Sequence, residues 1–322
     1  MNLPSQSFLV SDVKKLETKA QKPYLAFKAG DNTGNIECVW WDYATADEGS
    51  QNLVKDGALV DLGGQISKYK EKLQFKVSGL RAGSDTDMTQ FEKRSKYDEL
   101  EMWNEFLGYA ISFKHKYFRE VASLIVLQYK EQFISKPAAT GMHHAFKHGL
   151  LEHTLQMIKT GEKIFELPFY SEELNWDLCM FGLMFHDFGK IFEYGDAPGF
   201  KKTISGVKVP HIPKTAAIIY HKCQELQVPD IVCDEMMSVV LSHHRFLEWG
   251  SPVTPSSPEA LFVHYVDNLH GDVFGCLQKL ADDTSGDDRV KQGFGTETCT
   301  LPKKRINDIL MELEVQDESI GF

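Results

Sequence analysis

Leu178-Cys179-Met180-Phe181-Gly182-Leu183-Met184-Phe185-His186-Asp187-Phe188-Gly189-Lys190 is the stretch from which the rest of the chain is read. Its first eight residues carry no charge, and that run predicts a buried helix. An adjacent imidazole and carboxylate leave the helix together and offer two different donor atoms to one point. Gly189 lets the backbone turn, and Lys190 adds a cation. A metal ion that handles phosphate needs such a corner, together with further ligands from elsewhere in the chain.

Working outward, helical spacing surrounds this stretch on both sides. Trp103, Phe106, Leu107, Ala110 and Ile111 repeat at three- and four-residue steps, followed by Phe118, Val121, Ala122, Leu124, Ile125 and Leu127. Lys136-Pro137 ends that second helix. A helix opens at Gly149 with His153 about one turn in, and closes near Leu167-Pro168. Asn175 to Phe185 delivers His186-Asp187. Residues 194–209 form a Gly/Lys-rich loop or hairpin. Pro210-His211-Ile212-Pro213 starts a helix, with Pro213 suited to a first turn. Asp230 to Ser242 ends in His243-His244, and Glu259 to Leu269 carries Asp267. The polar residues therefore run His153, His186-Asp187, His211, His243-His244, Asp267. One imidazole on an apolar helix is ordinarily core, but several in series need partners, and a metal satisfies them together.

The first 83 residues read differently. Tyr24 to Ala29 alternates, Gly30 to Asn35 is a turn cluster, and Ile36 to Trp41 alternates again, so the two runs form a hairpin. Ala58 to Ile66 is a further strand, whose Gly63-Gly64 suits a sharp barrel bend. Lys68 to Lys72 then turns into Leu73 to Ser78. About five short strands in eighty residues suit a small Greek-key barrel. Residues 84–98 are a polar linker. The segment from 281 to 322 holds an acidic loop and a short helix over Arg305 to Val315, with no chemistry of its own.

The barrel resembles an OB-fold of the nucleic-acid-binding kind. Two segments carry the likeness, Pro23-Tyr24-Leu25-Ala26-Phe27 with Asp31 to Asp42, and Asp56 to Ile66 with Leu73-Gln74-Phe75. Such barrels stack bases on aromatics and track phosphates with lysines. That points to Tyr24, Phe27, Lys28, Trp40, Lys68, Tyr69, Lys70, Lys72 and Phe75, with barrel core as the alternative for Phe27, Trp40 and Phe75. The helical part resembles the HD superfamily of metal-dependent phosphohydrolases, and within it the YhaM-like 3′–5′ exoribonucleases, which join an OB-fold to an HD domain. Gly149-Leu150-Leu151-Glu152-His153-Thr154, His186-Asp187-Phe188-Gly189-Lys190, Leu241-Ser242-His243-His244, Glu248-Trp249-Gly250-Ser251-Pro252 and Glu259 to Asn268 carry this second likeness. It implies an all-β OB barrel (1–83), a linker (84–98), an all-α HD domain (99–280) and a C-terminal extension (281–322).

By the same resemblance, His153, His186, Asp187 and Asp267 hold one metal. Asp187 bridges to a second, held by His211 and His243. Two divalent transition-metal ions are implied, Mn²⁺ foremost, with Fe²⁺, Co²⁺ or Ni²⁺ as alternatives. Asp187, Lys190 and His244 are the catalytic candidates. Lys190 would contact phosphate, and His244 would be an outer ligand, a phosphate contact, a proton donor or a supporting hydrogen bonder. Pro210 stands where the family has Gly, which leaves His221 as a rival to His211. His148 likewise replaces a Gly and adds an imidazole near the mouth. The implied reaction is 3′–5′ hydrolysis of single-stranded RNA, or single-stranded DNA, to nucleoside monophosphates. The alternative is hydrolysis of a small nucleotide, with the barrel serving regulation or assembly.

Composition sets the frame for both. The net charge is −11, yet residues 1–83 carry eleven Lys/Arg against ten Asp/Glu, so a near-neutral barrel precedes an acidic body. The acidic body argues against a generally basic nucleic-acid coat, although metal ions at a site allow a polyanion to bind. None of the six cysteines forms a CxxC pair, which fits free thiols rather than a zinc knuckle. No apolar stretch is long enough for a membrane span, and the N-terminus lacks a signal-peptide layout. The expectation is a cytoplasmic protein with no membrane partner, homo-oligomerisation being left open.

Overall fold

The computed structural model describes residues 7–69, 72–85, 87, 90–140, 144–196, 200–283, 287–294 and 297–311. Five strands close a barrel in the order β1-β2-β3-β5-β4: β1 (Ser7–Glu17), β2 (Pro23–Asp31), β3 (Gly34–Trp40), β4 (Leu59–Tyr69) and β5 (Lys72–Ala82). Helix α1 (Glu48–Leu53), capped by Asp47, links β3 to β4. Neighbouring strands are antiparallel except β3 and β5, and Ser7 opposite Asp61 closes the seam between β1 and β4. This is the strand order of an OB-fold, so the expected barrel is present. The pleat sends Leu25, Phe27 and Ala29 inward from β2, where they meet Cys38, Trp40, Val60, Phe75 and Val77. The register slips at Gly63-Gly64, and a Cβ at Gly64 would lie 2.1 Å from the Lys76 carbonyl oxygen. Only glycine lets the two backbones approach that closely at the bend.

Two details differ from the sequence reading. β1 was not read as a strand, because Asp12 takes a positive φ of 57° at a bulge and breaks the alternation. The expected linker is also no loose tether. Phe91 and Ser95 are buried, the Asn32 N–H donates to the Gln90 carbonyl, and Arg94 bridges to Lys147. This segment ties the barrel to the helices.

The helical part comprises α2 (Glu99–Ser112), α3 (Lys116–Gln128), α4 (Lys130–Ser135), α5 (Gly149–Phe165), α6 (Pro168–Ser171), α7 (Trp176–Phe185), α8 (Lys190–Glu193), α9 (Ile204–Lys208), α10 (His211–Glu225), α11 (Asp230–Leu241) and α12 (Pro258–Asp282). The break expected at Lys136-Pro137 is preceded by another at Tyr129, which separates α3 from α4. Every residue of α7 from Asp177 to Phe185 is buried. A helix apolar on all sides can sit only at the centre, and α7 packs among α3, α5, α11 and α12. Phe106, Phe133 and Phe188 stack in a row beside it, with centroids 4.8 and 4.9 Å apart. The core thereby sets the position of the chain that leaves α7. The C-terminal region holds a hairpin of β6 (Arg289–Phe294) and β7 (Glu297–Pro302) that the sequence reading did not anticipate. The expected helix there is seen over 306–311, and its remainder lies outside the described residues.

Candidate metal centre

His186 and Asp187 follow α7 directly. His186 Nδ1 lies 3.0 Å from the Leu183 carbonyl oxygen. A carbonyl only accepts, so Nδ1 carries a proton and Nε2 faces the site. That Nε2 is 3.3 Å from His153 Nε2, which α5 contributes from its second turn. Asp267 of α12 completes the group, its Oδ1 3.7 Å from His153 Nε2 and 3.8 Å from His186 Nε2.

A second group lies on the other side of Asp187. His211 is the first residue of α10, and its Nδ1 is 2.6 Å from Glu193 Oε2. His243 and His244 follow α11. Their Nδ1 atoms donate to the carbonyls of Val240 (2.7 Å) and Trp249 (3.0 Å). All four of these outer contacts act alike: each fixes a tautomer and turns Nε2 inward. Within each group, His153/His186/Asp267 and His211/His243/His244, the donor atoms lie within 4.8 Å of one another.

Asp187 stands between the groups. Its Oδ2 is 3.2 Å from His186 Nε2 and 3.8 Å from His153 Nε2. Its Oδ1 is 3.3 Å from His211 Nε2 and 4.0 Å from His243 Nε2. Burial opposes its ionisation, but the Lys190 ammonium 2.6 Å away, and then His186, hold the carboxyl well below the usual range. Burial also pushes His243 well down and His244 down, which keeps both imidazoles neutral. His186 goes the other way, since the Asp187 charge outweighs its burial. Asp187 Oδ1, His211 Nε2 and His243 Nε2 are buried with no hydrogen-bond partner among the described residues. Leaving such atoms unpaired is costly. A divalent cation fits them, because nitrogen and carboxylate donors converge on two adjacent points.

The structure thus brings together His153, His186, Asp187, His211, His243, Asp267 and Lys190, and adds His244 as a member of the second group. His221 is exposed on α10, away from the site. His148 is not at the mouth: it is 4% exposed, its Nδ1 donates to the Ile134 carbonyl, and its φ is 68°. A left-handed backbone explains why glycine suits that position. Glu193 was missed. It is buried, takes the backbone N–H of His211 at 2.9 Å, and pairs with Lys202. Burial raises its carboxyl, but His211 and Lys202 bring it down to about 2. The three-residue steps Asp187, Lys190, Glu193 were a signal for it. Glu193 also does what Pro210 cannot, since the cap of α10 has no side-chain acceptor.

The barrel corrects part of the nucleic-acid reading. Phe27, Trp40 and Phe75 are 1%, 2% and 7% exposed and fill the barrel core, so they offer no face to a base. Tyr69 and Lys68 are exposed, Tyr24 is half-buried, and Lys28 is paired with Asp12 at 3.4 Å. Lys70 lies outside the described residues, and Lys72 is placed by its backbone opposite Tyr69. Trp41 was missed. It is 41% exposed and packs on Tyr24 with centroids 4.5 Å apart. The Trp40-Trp41 doublet held the signal, since successive residues face opposite sides.

Fold and site define a class: a hydrolase whose HD-type helical domain follows an OB barrel. A family model for the HD domain matches residues 150–272. The 3′-5′ exoribonuclease YhaM of Bacillus licheniformis is 30% identical over 282 residues, covering 86% of this chain and 85% of its own. YhaM of Geobacillus sp. is 26% identical over 307 residues (94% and 93%), and that of Bacillus subtilis 28% over 298 (91% and 90%). The chain belongs to the YhaM family, a family of nucleases. Among solved structures, the second OB-fold domain of replication protein A from Methanococcus maripaludis covers 25% of this chain and 82% of its own, at 18% identity and a TM-score of 0.19. That score is too low to carry an assignment, and the barrel's class rests on its own strand order. All six cysteines are free thiols, and no described helix is long and apolar enough to cross a membrane.

Proposed function

We propose that this protein is a metal-dependent 3′–5′ exonuclease that releases nucleoside monophosphates from single-stranded RNA, and from single-stranded DNA as a second substrate. The observation that carries the reading is Asp187, ionised and shared between two groups of converging donors. His153, His186 and Asp267 would hold one divalent ion with Asp187, and His211, His243 and His244 would hold the other. The mixture of imidazole and carboxylate favours Mn²⁺ or a similar transition metal over Mg²⁺ or Ca²⁺. Bound there, the ions supply an activated water and Lewis-acid neutralisation of the phosphate.

The chain's own contribution is preorganisation. Lys190 keeps Asp187 charged and stands 15% exposed beside it, where phosphate charge would be met. The Nδ1 contacts of His186, His211, His243 and His244 hold each ring in one orientation. The barrel would guide the strand, through Tyr69, Lys68 and the Tyr24–Trp41 pair on its outer surface. Exonuclease names among relatives that match nearly the whole chain support the strand end as substrate.

Incubation of Mn²⁺-loaded protein with 5′-labelled single-stranded RNA and DNA tests this. A ladder shortening from the 3′ end, release of monophosphates, arrest by chelator and rescue by Mn²⁺ are expected. Internal cuts, or turnover unchanged in chelator, would overturn it.

A further inference from the structure

The turn after His244 carries a feature that the metal ligands do not explain. Arg245 adopts a left-handed backbone, φ 65°, which is uncommon for a residue with a side chain. Two short hydrogen bonds hold it there, from the Arg245 N–H to the Ser242 carbonyl and from the Phe246 N–H to the His244 carbonyl, both 2.7 Å. The guanidinium lies over two rings, 4.9 Å from the centroid of Phe246 and 5.3 Å from that of Tyr265, and it donates to the Tyr265 hydroxyl. Phe246 in turn meets Trp249 edge to face at 4.8 Å. Even so, Phe246, Trp249 and Tyr265 remain 36%, 47% and 55% exposed.

This cluster borders the candidate centre. The Trp249 carbonyl is the group that orients His244. The buried His264 beneath Phe246 and Trp249 donates to the His243 carbonyl at 2.7 Å. Contiguous exposed aromatics mark a binding surface. Flat rings with a guanidinium among them are the combination that stacks bases and meets phosphates. Stacking also tolerates any base, since every base has a π-face, and an exonuclease that consumes arbitrary sequence requires that tolerance.

We propose that Arg245, Phe246, Trp249 and Tyr265 form a stacking subsite for a nucleobase at the 3′ end of the strand, with Arg245 meeting a backbone phosphate. The inference rests on the nuclease reading above, and it gives a role to the Glu248-Trp249-Gly250-Ser251-Pro252 motif.

The test compares wild type with the double variant Phe246→Leu/Tyr265→Leu, which keeps apolar bulk and removes two rings. Two labelled single-stranded RNAs are used, one intact and one abasic at its 3′-terminal nucleotide. Binding is read by fluorescence anisotropy in chelator, and kcat and KM are read in Mn²⁺. Wild type should bind the intact strand about ten-fold or more tighter than the abasic one. The variant should lose that discrimination and retain its bound metal. Full discrimination in the variant, or equal weakening towards both strands, overturns the subsite. So does a change confined to the oligomeric mass in light scattering, which would make this face a protein interface. Discrimination in wild type without strand cleavage leaves the subsite standing and removes the nuclease reading, while cleavage without discrimination does the reverse.

Discussion

The two ligand groups around Asp187 are held by different kinds of structure. His153 and Asp267 stand within long helices, and His186 follows the fully buried α7. Their positions come from core packing. His211 sits on the first residue of its helix, and His243 and His244 lie in the turn after theirs. His243 shares with His186 a bond to the carbonyl three residues back, but His211 and His244 depend on groups beyond their own turns, Glu193 and the Trp249 carbonyl. The first group should therefore behave as part of the core, and the second as something separable from it.

The largest effect is expected where the groups meet. Asp187→Ala should take activity to background and strip metal from both groups, as measured by metal analysis of the purified protein. Retention of two ions per chain would end the idea of a shared carboxylate. Glu193→Gln should be selective instead. Carboxylates behind metal-binding imidazoles typically contribute ten- to a hundred-fold in affinity, so a Mn²⁺ titration should show one class of site weakened by about that factor and the other unchanged. Equal weakening of both would erase the distinction between the groups.

Gly189→Ala probes the same boundary through the backbone. A Cβ there would lie 2.2 Å from the His211 carbonyl oxygen, so the start of α10 must move. A loss of about 1–3 kcal/mol in urea unfolding, together with poorer metal retention by the second group alone, is expected. The smallest effect belongs to a control far from the site. Asp61 accepts from the Ser7 hydroxyl at 2.7 Å and from Arg81 at 2.9 Å across the barrel seam. Asp61→Asn should cost the barrel about 1–3 kcal/mol and leave metal binding untouched. The Ser7 hydrogen bond, against burial and with help from Arg81, holds this carboxyl below its ordinary value of 3.8. Its contribution should be full above pH 3.8 and fade as pH falls further. A gap between variant and wild type that instead widens in acid contradicts this account.

Legibility differed between the two halves of the chain. In the helical half, the candidate ligands could be read because a buried imidazole or carboxylate is out of place unless something satisfies it. His153, His211, His243 and Asp267 stood out for that reason, and the structure brings them into two adjacent groups on either side of Asp187. In the barrel the same approach failed for Phe27, Trp40 and Phe75, because an aromatic residue is equally at home in a core or under a base. Only the pleat decides which side it faces, and Trp41 rather than Trp40 is outside. Glu193 escaped because an acidic residue in a short polar segment reads as solvated surface. Its burial depends on the approach of α10.

What the sequence determined by itself was the division into a strand-rich and a helical part, the central helix ending at Phe185, and the set of residue types able to bind metal. These follow from local periodicity and from the cost of burying polar groups, both of which act along the chain. The place of Asp187 between two groups was implied by the family resemblance rather than by any local pattern; only the tertiary structure decided that Glu193 both caps α10 and orients His211, and that an arginine and three aromatics collect beside His244. Each of those depends on segments far apart in sequence approaching within a few ångströms, and no local pattern specifies that distance.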